Sequence, residues 1–261
     1  MAEELFRMEG ISKSFPGVKA LDHVHLDVNK GEVLGLVGEN GAGKSTLMKI
    51  LSGVYHADEG EIFIEGQRVK IDSVAKAHEL GISIIMQELN MCGHLSVADN
   101  IFIGRAHKKG IFIDDAKMHQ EAQKILDDLG IDLDTHTRVG DLSVAKQQMV
   151  EIAKAISFHS KILVLDEPTA TLTEREIDQL FEIIRRLQDK GVGMVYISHR
   201  MAELERICER ASIIRDGQYI GTVSLKEVTM DELVNMIVGR PLDDKYPKHI
   251  RTIGDIALEG Y

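Results

Sequence analysis

Gly38-Glu39-Asn40-Gly41-Ala42-Gly43-Lys44-Ser45-Thr46 is the stretch that decides the fold of this chain, because it matches the pattern GxxxxGK[ST]. An apolar, strand-like run precedes it at Val33–Val37, and a helical stretch follows at Leu47–Leu51, which is the context that the pattern requires. Glycines let several backbone N–H groups turn inward around an anion, and the N-terminus of the following helix adds its positive dipole end. The stretch therefore predicts a phosphate-binding loop between a buried strand and a helix.

Two side chains of this loop have expected roles of their own. Lys44 supplies a positive charge for the β- and γ-phosphates of a nucleotide, and the Ser45 hydroxyl is a ligand for Mg²⁺. The alternative is a chance match in a glycine-rich turn, which the flanking strand and helix disfavour.

A second acidic centre is expected at the end of another apolar run, where Ile162–Leu165 leads into Asp166 and Glu167. Ligands of α/β proteins bind at the carboxyl edge of the parallel sheet, which is where these two carboxylates would lie. We expect Asp166 to orient Mg²⁺ through its water shell and Glu167 to polarise the attacking water. The alternative is an ordinary pair of strand-end carboxylates.

Gln87 and His199 follow two further buried runs and are weaker candidates. Gln87 comes after Ile82–Met86 and is placed to sense Mg²⁺ or the attacking water; a solvated polar residue is the alternative. His199 follows the predicted strand Gly193–Ser198, where a neutral imidazole can hold the γ-phosphate and the water-positioning carboxylate in register. The chain has 11 histidines, so a surface or structural role for His199 stays open.

The hydrophobic pattern alternates between strands and helices, which predicts an α/β fold with a parallel core sheet. Combined with the motif at Gly38, this is the fold expected of a P-loop NTPase. Near the N-terminus, Val24, Leu26 and Val28 alternate with polar residues, so an antiparallel β subdomain is expected there. Between about residues 90 and 155 there is helical signal without a buried-strand run, which predicts an inserted α-helical subdomain. Helical spacing is clearest in two sets, Met118, Ala122, Ile125 and Leu129, and Ile177, Leu180, Phe181, Ile184 and Leu187.

Composition excludes several classes of protein. The net charge of −11 disfavours binding of nucleic acid by bulk electrostatics, and no apolar run approaches the roughly 20 residues of a membrane span. Two distant cysteines suggest neither a disulfide framework nor a zinc site, and the acidic start lacks the features of a signal peptide. We expect a soluble, reduced, cytoplasmic protein with one nucleotide-binding domain over residues 1–240. Residues 241–261 resemble a linker and the start of a second, truncated domain.

In this order, the loop at Gly38, Gln87, Asp166-Glu167 and His199 resembles the nucleotide-binding subunit of an ABC transporter. Longer segments are similar to the N-terminal half of the tandem ATPase of simple-sugar importers of the ribose and galactose type. Those segments are GISKSFPGVKAL, GENGAGKSTLMKILSG, IIMQELN, LSVADNIFIG and QQMVEIAKAI.

The resemblance implies an ATPase that powers sugar import, with ATP as substrate and Mg²⁺ as cofactor. It implies Ser45, Gln87 and Asp166 at the metal, and Phe15 stacked on adenine; a core aromatic is the alternative for Phe15. The expected partners are an integral membrane permease, a second nucleotide-binding domain and, indirectly, a sugar-binding protein, with no nucleic acid. The implied location is the cytoplasmic face of the cell membrane, as a peripheral subunit.

The signature segment departs from the pattern of the family. Ser143 stands where the usual LSGGQ has its serine, but Val144 and Ala145 replace both glycines and Lys146 replaces the glutamine. In the family this segment contacts the γ-phosphate held by the opposite subunit, and side chains at Val144 and Ala145 are expected to hinder that approach.

Three further expectations follow from these features. Leu95, Val97, Ile101 and Phe102 offer an apolar surface for the membrane subunit, with burial inside the helical subdomain as the alternative. The altered signature leaves a second function open, a nucleotide-dependent dimerising switch with little turnover. An ABC-type ATPase of DNA repair or translation would need a long coiled-coil insertion or a basic surface, and the sequence has neither sign.

Overall fold

The computed structural model describes residues 3–86, 90–109 and 112–239. The strands are β1 (Glu4–Phe15), β2 (Val18–Asn29), β3 (Val33–Val37), β4 (Glu59–Ile64), β5 (Gln67–Val69), β6 (Ile82–Ile85), β7 (Lys108–Lys109), β8 (Phe112–Ile113), β9 (Ile162–Asp166), β10 (Gly193–Ile197), β11 (Arg210–Arg215) and β12 (Gln218–Ser224). The helices are α1 (Lys44–Leu51), α2 (Val74–Glu79), α3 (Val97–Ile101), α4 (Asp115–Leu129), α5 (Val144–Ile156), α6 (Glu174–Asp189), α7 (Met201–Ile207) and α8 (Met230–Val238), with a 3₁₀ turn at Val139–Asp141.

Ten strands form one mixed sheet in the order β5-β4-β1-β2-β12-β11-β3-β10-β9-β6. The strands from β11 through β3, β10 and β9 to β6 are parallel, while β5, β4, β1 and β2 are antiparallel. A single parallel pair, Gln218 with Asp22, joins the two parts. The predicted α/β class, the parallel core and the N-terminal antiparallel region are therefore confirmed.

The parallel strands are buried on both faces, and each face belongs to a different hydrophobic core. The insert-side core packs against α3 to α8, and it takes from these strands Val33, Val37, Leu163, Leu165, Met194 and Tyr196. The loop-side core packs against β1, β2 and α1, and it takes Leu34, Leu36, Ile162, Val164, Val195 and Ile197. Such two-sided burial explains why these strands are continuously apolar in sequence.

The helices α3, α4 and α5 follow one another between β6 and β9, at the place expected for the helical insertion. Each begins at a side chain that caps its first N–H groups, namely Ser96, Asp114 and Ser143. The spacing of Met118, Ala122 and Leu129 correctly predicts the buried face of α4. An antiparallel pair of short strands, β7 and β8, which the sequence did not predict, also lies in this region.

The apolar docking surface expected around α3 is wrong for three of its four members. Val97 and Ile101 are fully buried and Phe102 is nearly so, because they pack into the insert-side core. Among the helices that the structure describes, none has the length and apolar character needed to cross a membrane.

Candidate nucleotide-binding site

The loop from Gly38 to Gly43 connects β3 to α1, as the sequence predicts. Gly43 precedes α1 with a φ of 107°, and a Cβ there would lie 2.7 Å from the Ala20 carbonyl oxygen and the Leu21 Cδ2 atom. Glycine is therefore needed at this position for both its backbone angle and the close approach of β2. Glu39, Asn40, Gly41 and Ser45 are exposed, whereas Ala42 is buried and Thr46 is half-buried.

Lys44 lies across the mouth of this loop. Its Nζ donates to the carbonyl oxygens of Gly38 at 2.7 Å and Glu39 at 3.0 Å. Burial lowers the pKa of Lys44, while the charges of Asp166 and Glu167 act in the opposite direction. The ammonium is thus held between the loop carbonyls and the acidic pair, where it can exchange these carbonyls for phosphate oxygens.

Asp166 ends β9, two strands away from β3 in the sheet. Burial and the neighbouring Glu167 raise the pKa of Asp166, and Lys44 and Lys49 lower it less strongly. In the part of the chain that the structure describes, no hydrogen-bond donor reaches this carboxylate. A half-buried carboxylate with these surroundings suits a cation, and the exposed Ser45 hydroxyl in the first turn of α1 adds a second oxygen donor.

Glu167 and His199 meet although they are 32 residues apart in the chain. The His199 Nδ1 atom lies 3.3 Å from the Glu167 Oε1 atom, and the imidazole is 71% exposed. Adjacent parallel strands produce the contact, because β9 and β10 pair in register from Gly193 with Ile162 to Ile197 with Asp166. Glu167 has a φ of +49°, a left-handed conformation that is uncommon outside glycine, and its N–H donates to the Ile197 carbonyl at 2.9 Å.

The other predicted site residues fall at three places. Gln87 lies outside the described residues. Phe15 is half-buried at the end of β1, where its ring meets that of Tyr55 edge to face with centroids 5.3 Å apart. The Lys13 ammonium lies over the Phe15 ring, 5.7 Å from its centroid, in a cation–π contact. Phe15 therefore belongs to a small aromatic cluster rather than to either core.

The signature residues begin α5, with Ser143 as the N-cap and its hydroxyl accepting from the Lys146 N–H at 3.4 Å. Val144 is 45% exposed, whereas Ala145 is buried in the insert-side core. The expectation that the Ala145 side chain hinders approach to a phosphate is therefore wrong, because its methyl group points away from solvent. The isopropyl group of Val144 is the one that stands at the exposed start of the helix.

Sequence reasoning missed two residues next to the site. Lys49 is placed one turn after Ser45 on α1, so its charge acts on Asp166, and that spacing of four residues was a usable signal. Tyr55 contacts Phe15 and lies 5.5 Å from the Lys49 ammonium, measured to the ring centroid. It has no sequence signal, because it follows the end of α1 in an irregular segment.

Comparison with known proteins agrees with this geometry. A family model described as ABC transporter matches residues 21–170, which is more than half of the chain. Two solved ATP-binding cassettes of ABC transporters share the fold. The first, in its ADP conformation, has a TM-score of 0.80 and 29% identity, and the match covers 91% of this chain and 99% of its own. The second, which is free of nucleotide, has a TM-score of 0.78 and 28% identity, and the match covers 91% of this chain and 96% of its own.

Similar sequences come from bacterial importers. A protein of Agrobacterium fabrum named as a ribose/galactose/methyl galactoside import ATP-binding protein is 51% identical over 98% of this chain and 50% of its own length. The galactose/methyl galactoside import ATP-binding protein MglA of Salmonella typhimurium is 49% identical over 98% of this chain and 51% of its own. The chain spans about half the length of these relatives. The chain belongs to the ABC transporter family, as an ATP-binding domain.

Proposed function

We propose that this chain binds and hydrolyses ATP and thereby powers import of a simple sugar through a membrane ABC transporter. One observation supports the proposal. The loop with Lys44, the Asp166 carboxylate and the Glu167–His199 pair all lie at the carboxyl ends of the central parallel strands. The curated relatives, named for import of ribose, galactose and methyl galactoside, supply the substrate class. The partners would be a permease, a second nucleotide-binding domain and, indirectly, a sugar-binding protein, at the cytoplasmic face of the membrane.

In the proposed reaction, the loop N–H groups and Lys44 hold the triphosphate, and Phe15 stacks on adenine. Glu167 accepts a proton from water as the water oxygen bonds to the γ-phosphorus. The bond from that phosphorus to the β–γ bridging oxygen breaks, and ADP leaves with the electron pair. His199, 3.3 Å from Glu167, orients the carboxylate and can donate a hydrogen bond to the γ-phosphate.

Mg²⁺ fits the side chains that are present. Ser45 and Asp166 would hold it, together with Gln87 if that residue reaches the site, and the ion would neutralise charge on the β- and γ-phosphates. The support on this chain is the raised pKa of Asp166, since a half-buried carboxylate that accepts from no donor among the described residues is stabilised by a cation.

Two substitutions test the proposal in the purified chain. Glu167→Gln should lower ATP turnover by about 10²- to 10⁴-fold while MgATP still binds, because only the proton acceptor is lost. Lys44→Ala should weaken MgATP binding by at least about tenfold, as expected for loss of a charged hydrogen-bond donor. Glu205→Gln, at an exposed glutamate on α7, is the matched control. Turnover that survives in Glu167→Gln, or tight binding by Lys44→Ala, would contradict the assignment.

The link to a transporter needs a separate experiment. Co-purification from membranes should recover an integral subunit together with this chain, and an imported sugar should stimulate its ATP hydrolysis. Absence of any membrane partner would count against the coupling even if the ATPase activity stands.

One observation favours a second candidate, a nucleotide-dependent dimerising switch with little turnover. Val144 places an exposed branched side chain at the start of α5, where the family has glycine in contact with the phosphate of the opposite site. Val144→Gly separates the two functions. Faster hydrolysis in that variant favours the switch, and an unchanged rate favours the motor.

A further inference from the structure

The Glu203 carboxylate is buried in the first turn of α7 and accepts hydrogen bonds from four side chains. Its Oε2 atom accepts from the hydroxyls of Tyr196 at 2.9 Å, Ser198 at 2.8 Å and Thr169 at 2.8 Å. Its Oε1 atom accepts from Thr169 at 2.8 Å and from the Arg200 guanidinium at 3.2 Å. Burial and the Glu203 charge raise the pKa of Tyr196, so its hydroxyl stays protonated and donates.

Three of these donors, Thr169, Ser198 and Arg200, lie on the two segments that carry the candidate catalytic pair, while Tyr196 lies on β10. Ser198 and Arg200 flank His199 directly, and the Ser198 hydroxyl also accepts from the Arg200 N–H at 3.0 Å. Thr169 is two residues beyond Glu167 and is itself buried. One carboxylate therefore connects the loop after β9 to the loop after β10.

His199 has little packing of its own to fix it. Because the imidazole is 71% exposed, its 3.3 Å contact with Glu167 depends on where the backbone on either side of it is held. Hydrogen bonds to an ionised acceptor are stronger than neutral ones, and burial strengthens them further. The groups that hold this backbone converge on Glu203.

We propose that Glu203 is a positioning residue for ATP hydrolysis, which holds the Glu167 and His199 loops at their working separation. The inference rests on the proposed function, because it assigns a role within the same site. Glu203 does not reach the reacting atoms and acts only through Thr169, Ser198 and Arg200.

Glu203→Gln is the first test, because it keeps the shape but replaces one acceptor oxygen with an N–H₂ group. In one orientation that group faces the Arg200 guanidinium, and in the other it faces three hydroxyls, so neither orientation restores every contact. We expect kcat for ATP to fall by about 10²-fold, as for a displacement of about 1 Å at a reacting centre, with KM little changed.

Two controls separate positioning from general stability. Glu205→Gln makes the same substitution on the exposed face of α7 and should leave kcat and KM unchanged. Glu32→Gln makes the same substitution at another buried carboxylate, far from the two loops, which accepts a hydrogen bond from Arg210 at 2.7 Å. This variant should have a lower melting temperature and an unchanged kcat. A loss of kcat in Glu32→Gln as large as that in Glu203→Gln would overturn the proposal.

Thr169→Val perturbs the same network from the other loop by removing a single hydroxyl. If the carboxylate holds both loops, the losses in kcat of Thr169→Val and Glu203→Gln should be non-additive in the double variant. Full additivity would contradict the proposed connection.

A measurement without turnover keeps this inference separate from the proposed function. The NMR chemical shifts of the His199 ring, assigned with a His199→Gln variant and compared at one fixed pH, should differ from the wild type in Glu203→Gln and not in Glu205→Gln. Unchanged His199 ring shifts together with unchanged kcat would refute the role of Glu203 alone. A wild-type chain that neither binds nor hydrolyses MgATP would refute the proposed function, and the ring shifts would still decide whether Glu203 positions His199.

Discussion

Alanine at Gly43 should damage the phosphate loop more than alanine at Gly41, and the structure gives the size of the difference. Both glycines have positive φ, 107° and 83°, which costs an alanine roughly 1–3 kcal/mol at either position. Only at Gly43 does the new methyl group meet neighbours, at 2.7 Å from both the Ala20 carbonyl oxygen and the Leu21 side chain. At Gly41, no atom of the described residues other than its chain neighbours lies within 4 Å of the new methyl group.

Crowding of this kind adds about 1–3 kcal/mol. We therefore expect Gly43→Ala to lower the free energy of unfolding by about 2–6 kcal/mol, against about 1–3 kcal/mol for Gly41→Ala. Because a domain has only about 5–15 kcal/mol in total, the first change is large enough to threaten folding.

Urea denaturation without nucleotide measures the free energy, and a fluorescent ATP analogue measures affinity in the same variants. If the loop of Gly43→Ala shifts to relieve the contact, the cost should be seen as weaker nucleotide binding instead of a lower free energy of unfolding. Equal losses for the two variants in both measurements would refute the reasoning, because they would show that the contact with β2 has no energetic effect.

Three further outcomes are expected. Asp166→Asn should raise the melting temperature of the nucleotide-free chain at neutral pH. Burial raises the pKa of Asp166 in the folded state, so its contribution to stability is present below its unfolded pKa and is lost as the pH rises through the folded value. Calorimetry should therefore show that the gain in melting temperature of Asp166→Asn shrinks as the pH falls toward about 4. Phe15→Ala should weaken ATP binding by about tenfold if the ring stacks on adenine, with Phe15→Tyr retaining affinity, and equal affinity of Phe15→Ala would exclude the stacking. Phe181→Ala should lower the free energy of unfolding by about 3–5 kcal/mol, since the ring is fully buried against Tyr196, and a loss below 1 kcal/mol would contradict that packing.

Local patterns predicted much of this molecule correctly. The loop between β3 and α1 carries a motif whose flanking strand and helix both appear in the nearby sequence, so its position needed no tertiary information. The helices α4 and α6 were predicted from spacing alone, because one face of each packs into the insert-side core. Two short elements, β5 and α7, were not predicted, since the three residues of β5 contain no apolar run and the seven residues of α7 carry too little periodicity.

Contacts between distant segments could be foreseen only in part. An apolar set such as Val97, Ile101 and Phe102 has the same pattern whether it packs inward or binds a partner, and only the fold shows that it packs inward. The meeting of Glu167 with His199 follows from the order of β9 and β10 in the sheet, which the residues themselves do not encode locally. The Glu203 network had no sequence signal, because a glutamate in a helical first turn is usually exposed to solvent.

The two-sided burial of the parallel strands has a consequence for how such a sequence varies among relatives. Consecutive residues such as Val33 and Leu34 belong to different cores, because their side chains lie on opposite faces of the sheet. Leu163 and Met194, 31 positions apart, are paired across adjacent strands within the same core. Substitutions at paired positions on neighbouring strands should therefore covary, whereas substitutions at adjacent positions of one strand should be independent. Residues next to each other in the sequence of these strands would then be coupled more weakly than residues about 30 positions apart.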